Sequence, residues 1–279
     1  MKNKWVMPLI LAVIIVALLA ISAMVGILLK KNISSGEPVL TVTEAATQTV
    51  TPAPTEVITT APANRSGMVE EDGVMRYYVD NVLQTNAIVG SDDEGYYYAD
   101  PEGVINMNYC DGVNIDGVDW NVIEGKAYAV SDDWDTTLHY ALQMVAKCTD
   151  TTMTREQKLR AAFDYIKTNY LEGVPHDPPY REMDWPVVCA NDIFVGGKGD
   201  CFSYGAAFAF VGKAVGCEEC YACNSGGHGW AELDGLCYDP EWDMHNSEYN
   251  HFGVAPGDEC DVRYFGSLTE GVDWMKIKL

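Results

Sequence analysis

The longest apolar run of the chain lies near its start. No charged side chain occurs from Trp5 to Leu29, a stretch of 25 residues with lysines on both sides. Such a run is long enough to span a bilayer with some tilt. We therefore predict a transmembrane anchor within residues 1–31. A cleaved signal peptide is the alternative, because residues 20–22 are Ala-Ile-Ser and offer small side chains for cleavage.

Residues 32–68 follow with neither a helical nor a strand period. Thr, Ala, Pro, Val and Ser dominate this segment. A chain of this composition cannot bury enough apolar surface to offset the entropy that it loses on folding. We predict that these residues form a disordered or extended linker.

Residues 69–126 are rich in Gly, Asp and Tyr, and two similar pieces of sequence begin at Tyr77 and at Tyr97. Aromatic residues followed by Asp and Gly turns predict short β-hairpins. The spacing resembles the aromatic repeats of Gram-positive cell-wall-binding proteins. Two alternatives are open for this segment: repeats that bind the cell wall, or a β-rich extension that packs on the domain that follows.

Beyond this segment the pattern of apolar residues becomes helical. Apolar residues recur at helical spacing over residues 136–148 and predict a helix there. Thr154 and Gln157 form the signature of a capping box, which predicts a second helix that ends near Tyr170. The prolines within residues 171–192 predict a long loop.

Cys201 stands between a glycine-rich turn and an apolar stretch, residues 202–215, that predicts a helix ending at Gly216. Cysteine reacts as a thiolate. The N-terminus of a helix favours an anion through its dipole, and a nearby imidazolium adds to this effect. Cys201 is therefore a candidate nucleophile at the N-cap or in the first turn, where its backbone N–H is placed to help form an oxyanion hole.

Asp234-Gly235 is a strong signal for a two-residue hairpin turn. A turn at this point pairs Leu233 with Leu236, and two residues further out it pairs Ala231 with Tyr238. The turn therefore fixes which residues of the two strands share a face of the sheet.

The same register sets Trp230 opposite Asp239. His228 lies two residues before Trp230 and so on the same face, where it is a diagonal neighbour of Asp239. A one-residue slip would place the two side chains on opposite faces. In the predicted register Asp239 can accept the imidazole N–H and orient the ring, so that His228 serves as general base and acid toward Cys201.

The chain is strongly acidic, with a formal net charge of −23 at pH 7. A protein with this balance has no basic patch with which to bind nucleic acid or anionic lipid. We therefore expect no nucleic-acid partner. We also expect no metal ion or cofactor, since the other four histidines lack metal-ligand spacing. These four are expected at ordinary surface or loop positions: His139, His176, His245 and His251.

The chain has nine cysteines, an odd number that leaves one free thiol if the others pair. Cys217, Cys220 and Cys223 follow the predicted central helix at regular spacing. For a protein outside the cytoplasm we favour disulfides among them. Free buried thiols are one alternative, and a zinc knuckle with Cys237 or Cys260 as the fourth ligand is another.

Taken together, these motifs resemble the transglutaminase-like superfamily. The matching segments are residues 197–201, 227–233 and 237–240, and the resemblance covers about residues 135–245. It implies an α+β fold in which residues 127–279 form a papain-like transglutaminase core. The anchor, the linker and the small β-rich extension of residues 69–126 would precede this core.

The resemblance assigns a role to three residues: Cys201 is the nucleophile, His228 the general base and acid, and Asp239 the orienting carboxylate. Members of the superfamily include protein crosslinkers, peptidases and amidases, and the bacterial members require no calcium or organic cofactor. We expect a thiol acyl-transfer enzyme, and a cysteine peptidase or amidase in preference to a crosslinking transglutaminase. A non-catalytic surface-binding module is a third alternative.

The predicted anchor and the predicted catalytic core together indicate where the protein is located. We expect a single-pass protein of the cell membrane, held by residues 5–29, with its catalytic domain extracellular. Its substrate would be a peptide or protein, and association of that substrate with the cell wall is one alternative.

Overall fold

The computed structural model describes residues 64–175, 182–246, 248–261 and 275–279. The predicted anchor in residues 1–31 lies outside the described residues, as does the linker up to residue 63. Within the described ranges, no helix is both long enough and apolar enough to cross a membrane. The described residues form a mixed α/β structure with five helices and four sheets.

Residues 64–129, here called the β-rich region, form two antiparallel sheets. The first contains β1 (Gly67–Glu71), β2 (Val74–Val79) and β3 (Val82–Leu83). The second has the order β4-β5-β8-β7-β6 and consists of β4 (Ala87–Ser91), β5 (Gly95–Ala99), β6 (Asp111–Ile115), β7 (Val118–Ile123) and β8 (Lys126–Ala129). The predicted hairpins are confirmed, and the two similar pieces lie on β2 and β5.

Five helices follow or lie between the remaining strands: α1 (Asp133–Cys148), α2 (Arg155–Asn169), α3 (Trp185–Phe194), α4 (Cys201–Ala214) and α5 (Pro240–His245). The capping box at the start of α2 is confirmed. The Thr154 N–H donates to Gln157 Oε1 at 2.8 Å, and the Gln157 N–H donates to Thr154 Oγ1 at 3.3 Å. Together these bonds satisfy two backbone donors at the N-terminal end of α2.

The β-rich region packs directly on α1 and α2. A Cβ atom added to Gly112 would lie 2.8 Å from the His139 ring, so the glycine allows β6 to approach α1 closely. The His139 ring is also hydrogen-bonded to the Asn121 side chain at 3.1 Å. Lys158 of α2 is buried and donates to Asn108 Oδ1 at 2.8 Å. These contacts join the sheets to the helices through buried polar groups.

The predicted loop over residues 171–192 is wrong in its second half, because α3 begins at Trp185. Pro186 lies in the first turn of this helix, where proline lacks only a donor that would have no partner anyway. The helix buries Trp185 and Ile193 in the core. Residues 176–181 of the predicted loop lie outside the described residues.

The main sheet is antiparallel and has the order β14-β13-β12-β11-β15. Its strands are β11 (Cys220–Asn224), β12 (Gly229–Leu233), β13 (Leu236–Tyr238), β14 (Phe252–Val254) and β15 (Met275–Lys278). The predicted hairpin register is confirmed, with Leu233 opposite Leu236 and Ala231 opposite Tyr238. The turn residues Asp234-Gly235 have φ values of 48° and 87°, which this tight turn requires.

Helix α4 lies across β12 at close range. A Cβ atom added to Gly205 would lie 2.6 Å from the backbone nitrogen of Trp230, and one added to Gly212 would lie 2.2 Å from the Leu233 side chain. Two glycines on one side of the helix thus allow its backbone to approach the strand. This packing forms the centre of the largest apolar core and sets the position of the N-terminus of α4.

Candidate active site

Cys201 is the first residue of α4, and Asp200 caps the helix in front of it. The Asp200 carboxylate accepts the backbone N–H groups of Phe202 at 3.1 Å and Ser203 at 3.2 Å. The two residues before this cap, β10 (Lys198–Gly199), pair in parallel with β9 (Leu171–Glu172). The cap and the strand pairing therefore hold the cysteine in one place at the helix N-terminus.

The start of β12 touches the start of α4. A Cβ atom added to Gly229 would lie 2.7 Å from Phe202 Cα and 3.1 Å from the carbonyl oxygen of Cys201. The residue before this glycine is His228, and the Cys201 side chain lies close enough to its ring to raise the pKa of the imidazole. Because Gly229 has no side chain, β12 can approach α4 closely enough to place the His228 ring beside the Cys201 thiol.

His228 and Asp239 form the second contact of the site. His228 Nε2 lies 2.5 Å from Asp239 Oδ2, and the two residues are only 4% and 1% exposed. Since Nε2 is bonded to the carboxylate, Nδ1 is the ring nitrogen left for Cys201. The structure thus brings Cys201, His228 and Asp239 together in the predicted order.

The environment of His228 favours its charged form. Burial lowers the pKa of the ring, but the charge and the hydrogen bond of Asp239 raise it, and Cys201 raises it further. The net result is a pKa of about 10, compared with an ordinary value of 6.5. A histidine in these surroundings carries its proton at neutral pH.

Asp239 uses both carboxylate oxygens. While Oδ2 bonds His228, Oδ1 accepts the backbone N–H of Trp242 at 3.0 Å and caps α5. The backbone N–H of Asp239 donates to the carbonyl oxygen of His251 at 2.9 Å. These bonds hold the Asp239 carboxylate in the position from which it bonds His228.

Two tryptophans flank His228, a role that the sequence analysis did not assign to either of them. The Trp242 ring lies 4.7 Å from the imidazole at an angle of 31°, and Trp230 lies at 6.3 Å and 18°. Aromatic rings at this range limit the access of water to the His228–Asp239 pair, which strengthens its electrostatic attraction. The i, i+2 spacing of His228 and Trp230 was the one available signal for this arrangement.

Glu241 is a further acidic residue that the sequence did not single out. Its carboxylate, that of Asp239 and the His228 ring have ligand atoms within 4.8 Å of one another. Burial raises the pKa of Glu241, as does the charge of Asp239, while His228 lowers it. One imidazole and two carboxylates are a donor set that a divalent metal accepts. However, His228 Nε2 and Asp239 Oδ2 already bond each other.

All nine cysteines are free thiols in the structure. Cys217 and Cys220 are hydrogen-bonded neighbours, an interaction that raises the pKa of Cys220. Cys223 belongs to a different apolar cluster, because it lies three positions further along and so on the other face of β11. No three cysteines gather within the described ranges, which does not fit the zinc alternative. Disulfides among these residues stay a prediction about the oxidised protein.

The expectation that the other histidines lie at ordinary surface or loop positions is wrong for His139, while His251 lies in a loop but is buried. His139 is buried on α1, and His251 is 3% exposed next to the start of β14. His245 is exposed and lies 2.7 Å from Glu172. His176 lies outside the described residues.

Comparisons of the chain with protein-family models, curated proteins and solved structures found no match. The resemblance to the transglutaminase-like superfamily therefore stays a prediction from the sequence motifs. Function has to be inferred from the geometry of Cys201, His228 and Asp239.

Proposed function

We propose that this protein is a cysteine-dependent acyl-transfer enzyme with a papain-like, transglutaminase-like core. The observation that carries the proposal is the linear arrangement of a thiol, a buried imidazole and a buried carboxylate. Cys201 stands at a helix N-terminus beside His228, whose pKa it raises, and the His228 ring bonds Asp239. This is the arrangement that activates a nucleophile and supplies a proton to its leaving group.

The reaction would proceed in two steps. In the first, the Cys201 thiolate attacks the carbonyl carbon of an amide, and the C–N bond breaks as His228 gives its proton to the leaving amine. This leaves a thioester on Cys201 and a neutral imidazole. In the second, His228 takes a proton from water, the resulting oxygen nucleophile attacks the thioester, and the thiolate departs.

The backbone supplies a place for the negative oxygen of each tetrahedral intermediate. Cys201 occupies the first turn of α4, where backbone N–H groups have no acceptor within the helix. The positive end of the helix dipole points in the same direction. The N–H of Cys201 is therefore one donor of the proposed oxyanion hole.

We favour hydrolysis of peptide or glutamine-type amides over transfer to an amine. A second candidate is amine transfer, as in a crosslinking transglutaminase, and the nearby Glu241 carboxylate favours it because an acid can bind an ammonium group. In either case the proposed substrate is a peptide or protein. The proposed site of action is outside the cell membrane, to which residues 5–29 would anchor the chain.

Reactivity of the thiols tests the proposal. We expect iodoacetamide to alkylate Cys201 at least about ten times faster than Cys260, which is also partly exposed. The comparison uses the same sample and peptide mass spectrometry. In His228→Ala this difference should disappear while alkylation of Cys260 stays unchanged. Equal rates for the two thiols in the wild type would contradict an activated Cys201.

A further inference from the structure

A cavity lies beside Trp242, the indole that contacts the proposed catalytic histidine. It has a volume of about 310 Å³, at the lower end of the range for ligand pockets. Its lining consists of Trp242, Asn246, Tyr249, His251, Glu259 and Cys260. We call this cavity the His251 pocket. None of the three proposed catalytic residues lines it.

His251 is the unusual member of this lining. It is 3% exposed, and neither of its ring nitrogens has a hydrogen-bond partner within the part of the chain that the structure describes. Buried polar groups are nearly always paired, because leaving one unpaired costs about 1–3 kcal/mol. The fold keeps the histidine there nonetheless. Its backbone N–H donates to Asp243 Oδ1 at 3.0 Å, and its carbonyl oxygen accepts the Asp239 N–H.

The lining indicates the chemistry of a ligand. An imidazole in its neutral form offers one N–H donor and one acceptor nitrogen, and a phenol hydroxyl can both donate and accept. Trp242 and Tyr249 add aromatic surfaces against which a ring can pack. Glu259 is acidic and disfavours an anionic group such as a phosphate. A tyrosine side chain combines the required ring with the required hydroxyl.

The pocket is within reach of a substrate held at Cys201. The Trp242 ring lies 4.7 Å from His228 and 5.8 Å from His251. The two histidine rings are therefore no further apart than these two distances together, which about three residues of extended peptide span. A side chain one to three residues from the reacting amide can enter the pocket.

We propose that the His251 pocket is a specificity subsite for a tyrosine side chain of the substrate. This inference rests on the proposed acyl-transfer function, because it assigns the pocket to the same substrate. His251 is then a binding residue, and one of its two unpaired ring nitrogens is satisfied when the phenol hydroxyl is bound.

Binding can be measured without catalysis, with the 279-residue chain carrying Cys201→Ala. NMR titration should show that N-acetyltyrosinamide binds about tenfold more tightly than N-acetylphenylalaninamide, since phenylalanine leaves His251 unpaired. N-acetyl-O-phosphotyrosinamide should not bind. Adding His251→Phe should remove the preference for tyrosine. Adding His251→Gln, which keeps a donor and an acceptor, should retain most of it.

Several outcomes would overturn the subsite. These are equal binding of the two amides, a preference that survives His251→Phe, or binding of N-acetylglucosamine in place of tyrosine. With an active enzyme, kcat/KM for a tyrosine peptide should exceed that for its phenylalanine analogue, and His251→Phe should bring the ratio of the two values close to one. If wild type cleaves no peptide but the binding preference is present, the proposed function fails while tyrosine recognition by the pocket stands.

Discussion

At the scale of single residues, Asp239 joins the proposed chemistry to the local fold. One of its oxygens bonds His228 and the other caps α5. The sequence predicted the first of these contacts but not the second. The structure shows that one side chain has both contacts, and the two can be separated by substitution.

We expect Asp239→Asn to separate them. Asparagine caps helices well, so α5 should keep its cap, while the thermal unfolding midpoint near neutral pH should fall because the charged pair is lost. The loss of the negative charge should lower kcat/KM by about 10²–10⁴-fold, because the imidazolium is no longer stabilised. Asp132→Asn, at the N-cap of α1, is the matched control and should leave kcat/KM unchanged. A variant with normal activity would show that the Asp239 charge has no part in the reaction.

The raised pKa of His228 predicts how stability depends on pH. Because the folded-state value of about 10 lies above the ordinary 6.5, the pair's contribution to the free energy of unfolding is complete below pH 6.5. It is lost as the pH rises toward 10. Urea unfolding of wild type and His228→Gln should therefore show a stability difference in favour of wild type that shrinks between pH 6.5 and 10. A difference that is constant over this interval would contradict a charged His228.

The residues of the proposed triad could be predicted because short motifs and one hairpin carry them. Trp242, Glu241 and His251 could not. Their positions depend on how α5 and the segment before β14 fold back over the sheet. A backbone bond from Asp239 to His251 fixes that arrangement, and no side-chain pattern in the sequence encodes it.

At the scale of elements, the approach of β12 to α4 determines whether the thiol and the imidazole can meet. Gly229, at the start of β12, lies against Cys201 and Phe202 at the start of α4. The sequence placed this glycine between His228 and Trp230, but it gave no sign that the residue faces the start of α4. Such a contact depends on tertiary packing and not on local pattern.

Gly229→Ala should therefore impair activity more than stability. Its added Cβ would lie 2.7 Å from Phe202 Cα, so either the strand or the helix must shift. A displacement of this kind at a reacting pair can cost about 10²-fold in kcat/KM. Gly173→Ala is the control, because its Cβ would make only an ordinary contact at 3.5 Å with Lys198. Equal kcat/KM values for the two variants would show that the close approach of β12 to α4 does not affect activity.

Elements that a turn or cap motif specifies were predicted well. Elements that depend on pairing between segments far apart in the sequence were not. Asp234-Gly235 fixes the β12–β13 register through its turn geometry, and the capping box fixes the start of α2. The two-residue strands β9 and β10 are too short to leave a pattern in the sequence. Pro186 misled the prediction because proline suits both a loop and the first turn of a helix.

At the scale of the whole molecule, the described residues belong to one compact unit, in which the β-rich region packs on α1 and α2. The sequence left open whether this region binds the cell wall or is a packed extension. This packing agrees with the alternative of a packed extension, and binding to the cell wall stays a prediction. The buried Lys158 is one of the links, since its ammonium group donates to Asn108.

Lys158→Ala should lower the free energy of unfolding by about 1–3 kcal/mol, because the Asn108 oxygen atoms lose a buried donor. Unfolding should remain a single transition when it is followed by both tryptophan fluorescence and circular dichroism. Lys147→Ala, at an exposed position of α1, serves as the control and should change stability by less than about 0.5 kcal/mol. An earlier, separate transition of the β-rich region would show that it folds as an independent domain.

The central claim is that Cys201 attacks an amide and transfers its acyl group. Intact-mass and peptide mass spectrometry of the 279-residue chain, incubated with peptides and an excess of a primary amine, tests this most directly. For wild type we predict peptide fragments that have gained water, with amine-containing products in the minority, and neither product for Cys201→Ala. Identical spectra for wild type and Cys201→Ala would contradict the account.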